Sequence, residues 1–170
     1  MILIGIGGNL PSENFGSTPE VLVKALQVID EKVCAVVRCS PWYRSAPVPV
    51  ADQPDYINGV IELSTAMPAE TLLNRLHDVE TEFERVRTVK NAARTLDLDL
   101  LCYHDHLIEK KQQNGLIVPH PRMQDRAFVL LPLQDLVPDW VHPANGLTIQ
   151  ELIRLLPTDQ RCERLPADPT

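Results

Sequence analysis

No stretch of the 170-residue sequence comes close to the roughly 18 consecutive apolar residues that a membrane span requires. The apolar start MILIGIGGNL lacks a basic leader segment and runs straight into Gly7, Gly8 and Asn9, so a first strand and turn is expected there rather than a signal peptide. Basic charge is scarce: 16 Lys and Arg against 23 Asp and Glu give a formal net charge of −7. Proteins that coat duplex nucleic acid need clustered Lys and Arg, so nucleic acid is not an expected partner. The four cysteines, Cys34, Cys39, Cys102 and Cys162, form no CxxC pair. That spacing fits reduced thiols in the cytoplasm better than a disulfide framework. Repeats and low-complexity tracts are missing too, and the 15 prolines are scattered between elements instead of marking a linker. One soluble domain spanning residues 1–170 is therefore expected. Finally, GIGGNL has neither the glycine spacing nor the lysine of GxxxxGK[ST], which excludes a P-loop.

Hydrophobic periodicity supplies the elements. ILIGI, residues 2–6, reads as a strand, and GGNLPSEN after it is loop chemistry. In TPEVLVKALQVIDEKV, Thr18 is placed to cap a helix, Pro19 suits its first turn, and Val21, Leu22, Ala25, Leu26 and Ile29 form an apolar stripe. The β-branched segment VCAVVRCSPWYRS is expected to be a strand ending near Pro41, and APVPVADQPD a surface loop that leads into the strand YINGVIELST. PAETLLNRLHDVETEFERVR is the clearest helix, with Leu72, Leu73, Leu76, Val79, Phe83 and Val86 at spacings of three and four. RTVKNAAR breaks the pattern and RTLDLDLLCYHD resumes it as a strand. A short apolar segment, GLIVPHPRM, and two helices, RAFVLLPLQDLV and LTIQELIRLL, complete the chain. Strand, helix, strand, strand, helix, strand is the split βαβ order of ferredoxin-like α+β folds, here expected as an antiparallel sheet with helices on one face and further helices at the C-terminal end.

Within DLDL, successive side chains alternate faces, so Asp97 and Asp99 project together while Leu96, Leu98 and Leu100 project oppositely. Two carboxylates on one face repel unless a cation lies between them, and a hard divalent ion such as Mg²⁺ accepts carboxylate and phosphate oxygens. The pattern alone equally describes a half-exposed amphipathic strand with solvated aspartates. Arg85, Arg87, Lys90 and Arg94 lie within ten positions just upstream, which makes a local positive patch on an acidic chain and suits a small phosphorylated ligand. Arg85 or Arg87 can also complement a helix C-terminal dipole. VPHPRMQDRAF adds His120 and Arg126 as further phosphate-binding groups, although a histidine among prolines often serves loop packing. DQPDYING puts Gln53, Asp55, Tyr56 and Asn58 at a loop and strand start, where an aromatic face beside amide groups suits a flat polar heterocycle, although taken alone the stretch reads rather as a capped turn with a core tyrosine. CYHDH alternates Cys102, His104 and His106, but no fourth ligand of suitable spacing accompanies them.

Together IGGNL, WYRSAP, DQPDYIN, RTLDLDLL and VPHPRMQDRAFVLLPL, in this order and at these distances, resemble the 6-hydroxymethyl-7,8-dihydropterin pyrophosphokinase family of folate biosynthesis, over residues 1 to about 155. The resemblance implies transfer of a pyrophosphoryl group from ATP to the hydroxymethyl oxygen of the pterin, with attack at the β-phosphorus and release of AMP. By motif, Asp97 and Asp99 are implied as ligands of two Mg²⁺ ions, Arg85 and Arg94 as catalytic arginines on the phosphates, and His120 and Arg126 as ATP-binding groups. Tyr56 and Phe128 are implied as the aromatic pair around the pterin, with Asn58 and the backbone around Ser45 and Val48 as its hydrogen-bonding edge. Glu80 matches an acidic position of the family. Two departures stand out: the loop TVKNAA holds Asn91 nearest the position where many members carry tryptophan, and Pro121 follows His120 where some carry tyrosine. The expected partners are small molecules, ATP and a reduced pterin, and the expected state is a monomer. A pterin- or nucleotide-binding paralogue without turnover and a metal-dependent nuclease are the competing classes.

Overall fold

The computed structural model describes residues 1–48, 52–84, 93–109 and 115–166. The chain runs β1 (Ile2–Gly8), α1 (Thr18–Lys32), β2 (Ala35–Cys39), β3 (Tyr43–Ser45), β4 (Tyr56–Ser64), α2 (Ala69–Glu82), β5 (Asp97–Tyr103), α3 (Ala127–Leu136), α4 (Ile149–Arg154) and β6 (Cys162–Arg164), with a 3-10 turn at Met123–Asp125. The sheet is antiparallel in the order β5-β1-β4-β3-β6, and β2 also pairs with β4. β1 lies inside the sheet, between β5 and the central strand β4, and ILIGI is apolar on both faces, as a strand covered from both sides must be. The arrangement is the expected α+β ferredoxin-like one.

Local chemistry shifts some boundaries. Ser17, not Thr18, precedes α1, and its backbone N–H donates to the Glu20 carboxylate at 2.7 Å; serine followed three residues later by glutamate is the capping-box pairing. The strand expected to end near Pro41 does stop there, as β2, and a second strand, β3, which was not expected, follows within the same segment. β2 pairs with the second half of β4 and β3 with its first half. Pro41 between them has no N–H to give the ladder, and Ser40 alone makes both bonds to Val60, its N–H donating to the Val60 carbonyl at 2.9 Å and its hydroxyl accepting the Val60 N–H at 2.9 Å. α2 ends at Glu82, short of the expected Arg87, and Glu84 follows with a left-handed φ of 63°. The strand β6 was not expected.

The helices do not share one face. α1 and α2 cover Ile2, Ile4, Ile6, Leu98 and Leu100, whereas α3 and α4 cover Leu3, Val60, Leu101 and Cys102 on the other side. A bulge explains part of the second face: Leu3 pairs with Cys102 and Ile4 with Leu100, so Leu101 is the extra residue and joins Cys102 under α3. This second apolar face would be exposed if all helices lay together, so the expectation of helices on one face is corrected. α3 sits over the Leu3 and Val60 portion of that face, away from the Gly7 end of β1.

Candidate active site

Residues opposite one another in a ladder share a face. Asp97 pairs with Gly7, which pairs with Asn58, which pairs with Tyr43; Asp99 pairs with Gly5, which pairs with Val60. Both carboxylates therefore stand on the face covered by α3 and α4, beside two β1 positions that have no side chain. Glycine at position 7 is required by its neighbour, since a Cβ there would lie 2.6 Å from Asn58 Oδ1. At Gly8 the obstacle is backbone: a Cβ would lie 2.2 Å from the Thr95 carbonyl oxygen, where β1 leaves the sheet against the start of β5.

Each carboxylate faces its own guanidinium. Arg94 Nη1 is 3.0 Å from Asp97 Oδ2, and Arg126 Nη1 is 3.6 Å from Asp99 Oδ2. Arg94 is fixed through its backbone as well. Its N–H donates to Asn9 Oδ1 at 2.9 Å, while its carbonyl accepts the N–H groups of Asn9 and Leu10 at 2.9 and 3.1 Å. Arg126 is held by the turn that precedes α3. Burial, then the neighbouring Arg122, pushes its guanidinium below the ordinary value, yet an arginine remains cationic at any physiological pH. His120 stands in the same field. Burial lowers its imidazole below the ordinary histidine value, with Asp99 opposing and Arg126 adding to the shift. The Arg122 N–H donates to His120 Nδ1 at 3.2 Å, which leaves the ring proton on Nε2 as a donor.

Glu80, only 1% exposed, accepts the Leu98 N–H at 2.7 Å. β5 is an edge strand, and Leu98 lies between the two aspartates; the Glu80 carboxylate thus pairs an edge N–H at the point where the carboxylates must be held in register. The position that the resemblance left without a role has a positional one.

On β4 and β3, the Asn58 amide donates to Ser45 Oγ at 2.9 Å, both side chains being buried. Tyr56 is half-buried, and its hydroxyl donates to Gln53 Oε1 at 3.2 Å. Burial raises its phenol above the ordinary value, and the nearby Arg94 opposes that shift, which places Tyr56 next to Arg94. Phe128, the second residue of α3, lies under the Arg126 guanidinium at 5.4 Å from the ring centroid, a cation–π distance. Val48 is exposed, three residues beyond β3. Arg85, with Arg87, Lys90 and Asn91, lies outside the described residues. The fold thus gathers Arg94, Asp97, Asp99, His120, Arg126, Tyr56, Asn58 and Ser45 at one end of one face, with Phe128 joined through Arg126.

Sequence reasoning passed over Asn9. It is buried, and besides clasping Arg94 its amide donates to the Pro54 carbonyl at 3.1 Å and to Gln53 Oε1 at 3.4 Å. One amide thereby ties the start of β5 to the loop that leads into Tyr56. Its only sequence signal was an asparagine directly after a glycine pair.

The donor set at this end of the sheet is hard oxygen. Among the described residues no group of three or more His, Cys, Asp and Glu lies together as a metal cluster. A pair of carboxylates fits Mg²⁺, which takes most of its shell from water and phosphate, and does not fit ions that need a nitrogen or sulfur cage.

An antiparallel ferredoxin-like sheet with paired carboxylates, facing guanidinium groups and a histidine beside them defines a protein that handles the phosphates of a small molecule. Comparison with known proteins narrows the class. Residues 3–138 match the model of the 7,8-dihydro-6-hydroxymethylpterin-pyrophosphokinase family, and the chain belongs to that family. It is 43% identical over 155 residues to the 2-amino-4-hydroxy-6-hydroxymethyldihydropteridine pyrophosphokinase of Synechocystis sp., covering 89% of this chain and 73% of that protein. To the protein of the same name from Pseudomonas aeruginosa it is 38% identical over 167 residues, 97% and 96% of the two chains. It is also 35% identical over 146 residues to the folic acid synthesis protein fol1 of Schizosaccharomyces pombe, of which it spans only 20%. The chain is accordingly a diphosphotransferase that moves pyrophosphate from ATP to hydroxymethyldihydropterin in folate biosynthesis. Among the described residues no helix is long and apolar enough to cross a membrane.

Proposed function

We propose that this transfer takes place at the Asp97 and Asp99 end of the sheet, with ATP lying toward Arg94, His120 and Arg126 and the pterin between Tyr56 and Phe128. The observation that carries the reading is the row of groups on one sheet face: two carboxylates on β5, each with a guanidinium within 3.0–3.6 Å, beside the side-chain-free glycines of β1. Asp97 and Asp99 are the residues that would hold two Mg²⁺ ions. Bound there, Mg²⁺ supplies charge neutralisation on the phosphates and acidity for the attacking hydroxyl.

The chain's own groups do the rest. Asn58, with Ser45 behind it and the backbone near Val48, presents hydrogen-bonding groups to the pterin edge, and the aromatic faces of Tyr56 and Phe128 hold the ring plane. This places the hydroxymethyl oxygen for attack on the β-phosphorus; a new oxygen–phosphorus bond forms, the bond from the β-phosphorus to the oxygen shared with the α-phosphate breaks, AMP departs and the hydroxyl proton is lost. Arg94 and Arg126 exchange their carboxylate partners for phosphate oxygens as ATP enters, and His120 donates from Nε2 to a phosphate oxygen. Arg85 is assigned to the same phosphates by motif. Among the described residues no side chain presents itself as a general base, and positioning with charge neutralisation supplies most of the effect, as phosphoryl transfer requires.

The protein acts on these small molecules as one domain across residues 1–170 and as a monomer in the cytoplasm, without nucleic acid. The formal charge of −7 and the four cysteines, each unpaired, support that reading. AMP release from ATP in the presence of the reduced pterin and Mg²⁺ tests the assignment. Turnover that Asp97→Ala and Asp99→Ala abolish in a folded protein is expected; tight binding of both ligands with no AMP would leave a binding paralogue instead.

A further inference from the structure

The family match ends at residue 138, yet residues 160–165 come back to the proposed pterin side of the site. β6 pairs with β3, setting Cys162 opposite Ser45, and the Ala46 N–H donates to the Arg161 carbonyl at 3.2 Å. Arg161 Nη2 lies 2.6 and 2.8 Å from the two carboxylate oxygens of Asp55, the residue before Tyr56. Gln160 Oε1 accepts the Ala127 N–H at 2.8 Å, and Gln160 Nε2 donates to the Asp125 carbonyl at 2.7 Å.

The Gln160 contacts answer a local need. The first N–H groups of a helix have no partner within it, and Arg126, at the cap position of α3, makes no side-chain cap bond. Gln160 supplies the cap from 33 residues away. Phe128 is the next residue along. All three segments that carry the proposed pterin groups, around Ser45, Tyr56 and Phe128, therefore touch one short stretch of chain.

We infer that Gln160 is a positioning residue for pterin recognition: its amide fixes the first turn of α3, and with it Phe128, against the sheet, while Arg161 holds Asp55 and through it Tyr56. The inference rests on the reading of Tyr56 and Phe128 as the pterin walls. ATP is expected to feel it less, because Arg126 is also held through its backbone, its N–H donating to the Met123 carbonyl at 3.3 Å in the turn before α3.

The test uses the full chain and compares Gln160→Ala, Gln160→Glu and Arg161→Ala with Phe128→Ala. Dissociation constants and KM for the reduced pterin and for ATP are measured beside kcat and the melting temperature. Gln160→Ala is expected to weaken pterin binding and raise its KM about fivefold, the effect of losing ordinary neutral hydrogen bonds, with KM for ATP and kcat little changed. Gln160→Glu keeps the acceptor for the Ala127 N–H but loses the donor to the Asp125 carbonyl, and should recover only part of that loss. Arg161→Ala should cost about twofold, since more than half of that side chain is exposed. If Phe128→Ala weakens pterin binding and Gln160→Ala does not, the positioning role is overturned. Equal losses for pterin and ATP together with a lowered melting temperature would reduce Gln160 to a structural cap and overturn it as well. Unchanged pterin binding in Phe128→Ala would instead overturn the reading of the pterin walls beneath it.

Discussion

Leu98 and Leu100 on one side of β5 are 1% and 3% exposed beneath α1 and α2, whereas the side chains of Asp97 and Asp99 on the other side keep 25% and 39% of their surface. The contrast continues on the neighbouring strand, where Ile4 and Ile6 face the leucines and Gly5 and Gly7 stand beside the carboxylates. One strand pair thus builds a packed interior on one side and a site on the other. The difference lies in side-chain volume as much as in charge: β1 puts isoleucines into the core on one side, while on the other Gly5 and Gly7 leave space that the Leu101 and Asn58 side chains take up beside the aspartates.

This contrast can be broken from either side. The largest effect is expected for the carboxylates, where Asp97→Asn should lower kcat by about 10³-fold, the scale of losing a key electrostatic group, with the melting temperature close to wild type. Leu98→Ala should do the reverse, costing about 3 kcal/mol of stability through the cavity it leaves, with activity per folded molecule largely kept; urea titration followed by assay of the folded fraction separates the two. Glu80→Ala falls between, because it takes away the acceptor of the Leu98 N–H at the register point between the aspartates. A loss of about 1–3 kcal/mol is expected, and activity should fall with it, whereas Glu80→Gln should retain most of both. Smallest is Arg164→Ala, far from the carboxylates, whose exposed pair with Asp135 at 3.3 Å should contribute at most about 1 kcal/mol and nothing to kcat.

Period-two alternation made both faces of β5 legible in RTLDLDLL, because an edge strand between core and site must show each to the sequence. The same logic failed where topology decides. Which face α3 packs on depends on the path of the chain after Tyr103 and on the bulge at Leu101, and neither leaves a periodic trace. Pro41 marked a break, but that the chain resumes along the same partner strand follows only from the length of β4. β6, three residues of which two are charged, has no strand signal of its own, and its pairing comes from the open edge of β3. In the site, Asp97, Asp99, Arg94, His120 and Arg126 were readable as charged groups in motifs. Asn9 was not, since its amide acts on partners 44 to 85 residues away. The role of Glu80 was equally hidden, because a carboxylate on a helix does not announce that it serves a strand N–H.

The most direct test of the account is a paired measurement on Asp97→Asn and Leu98→Ala, neighbours on one strand that point in opposite directions. Melting temperature and AMP release at saturating ATP, reduced pterin and Mg²⁺ are recorded on the same samples. Asp97→Asn is expected to melt like wild type and release almost no AMP, and Leu98→Ala to melt well below it while its folded fraction turns over. Asp97→Asn releasing AMP near the wild-type rate would contradict the assignment of this carboxylate face as the active site.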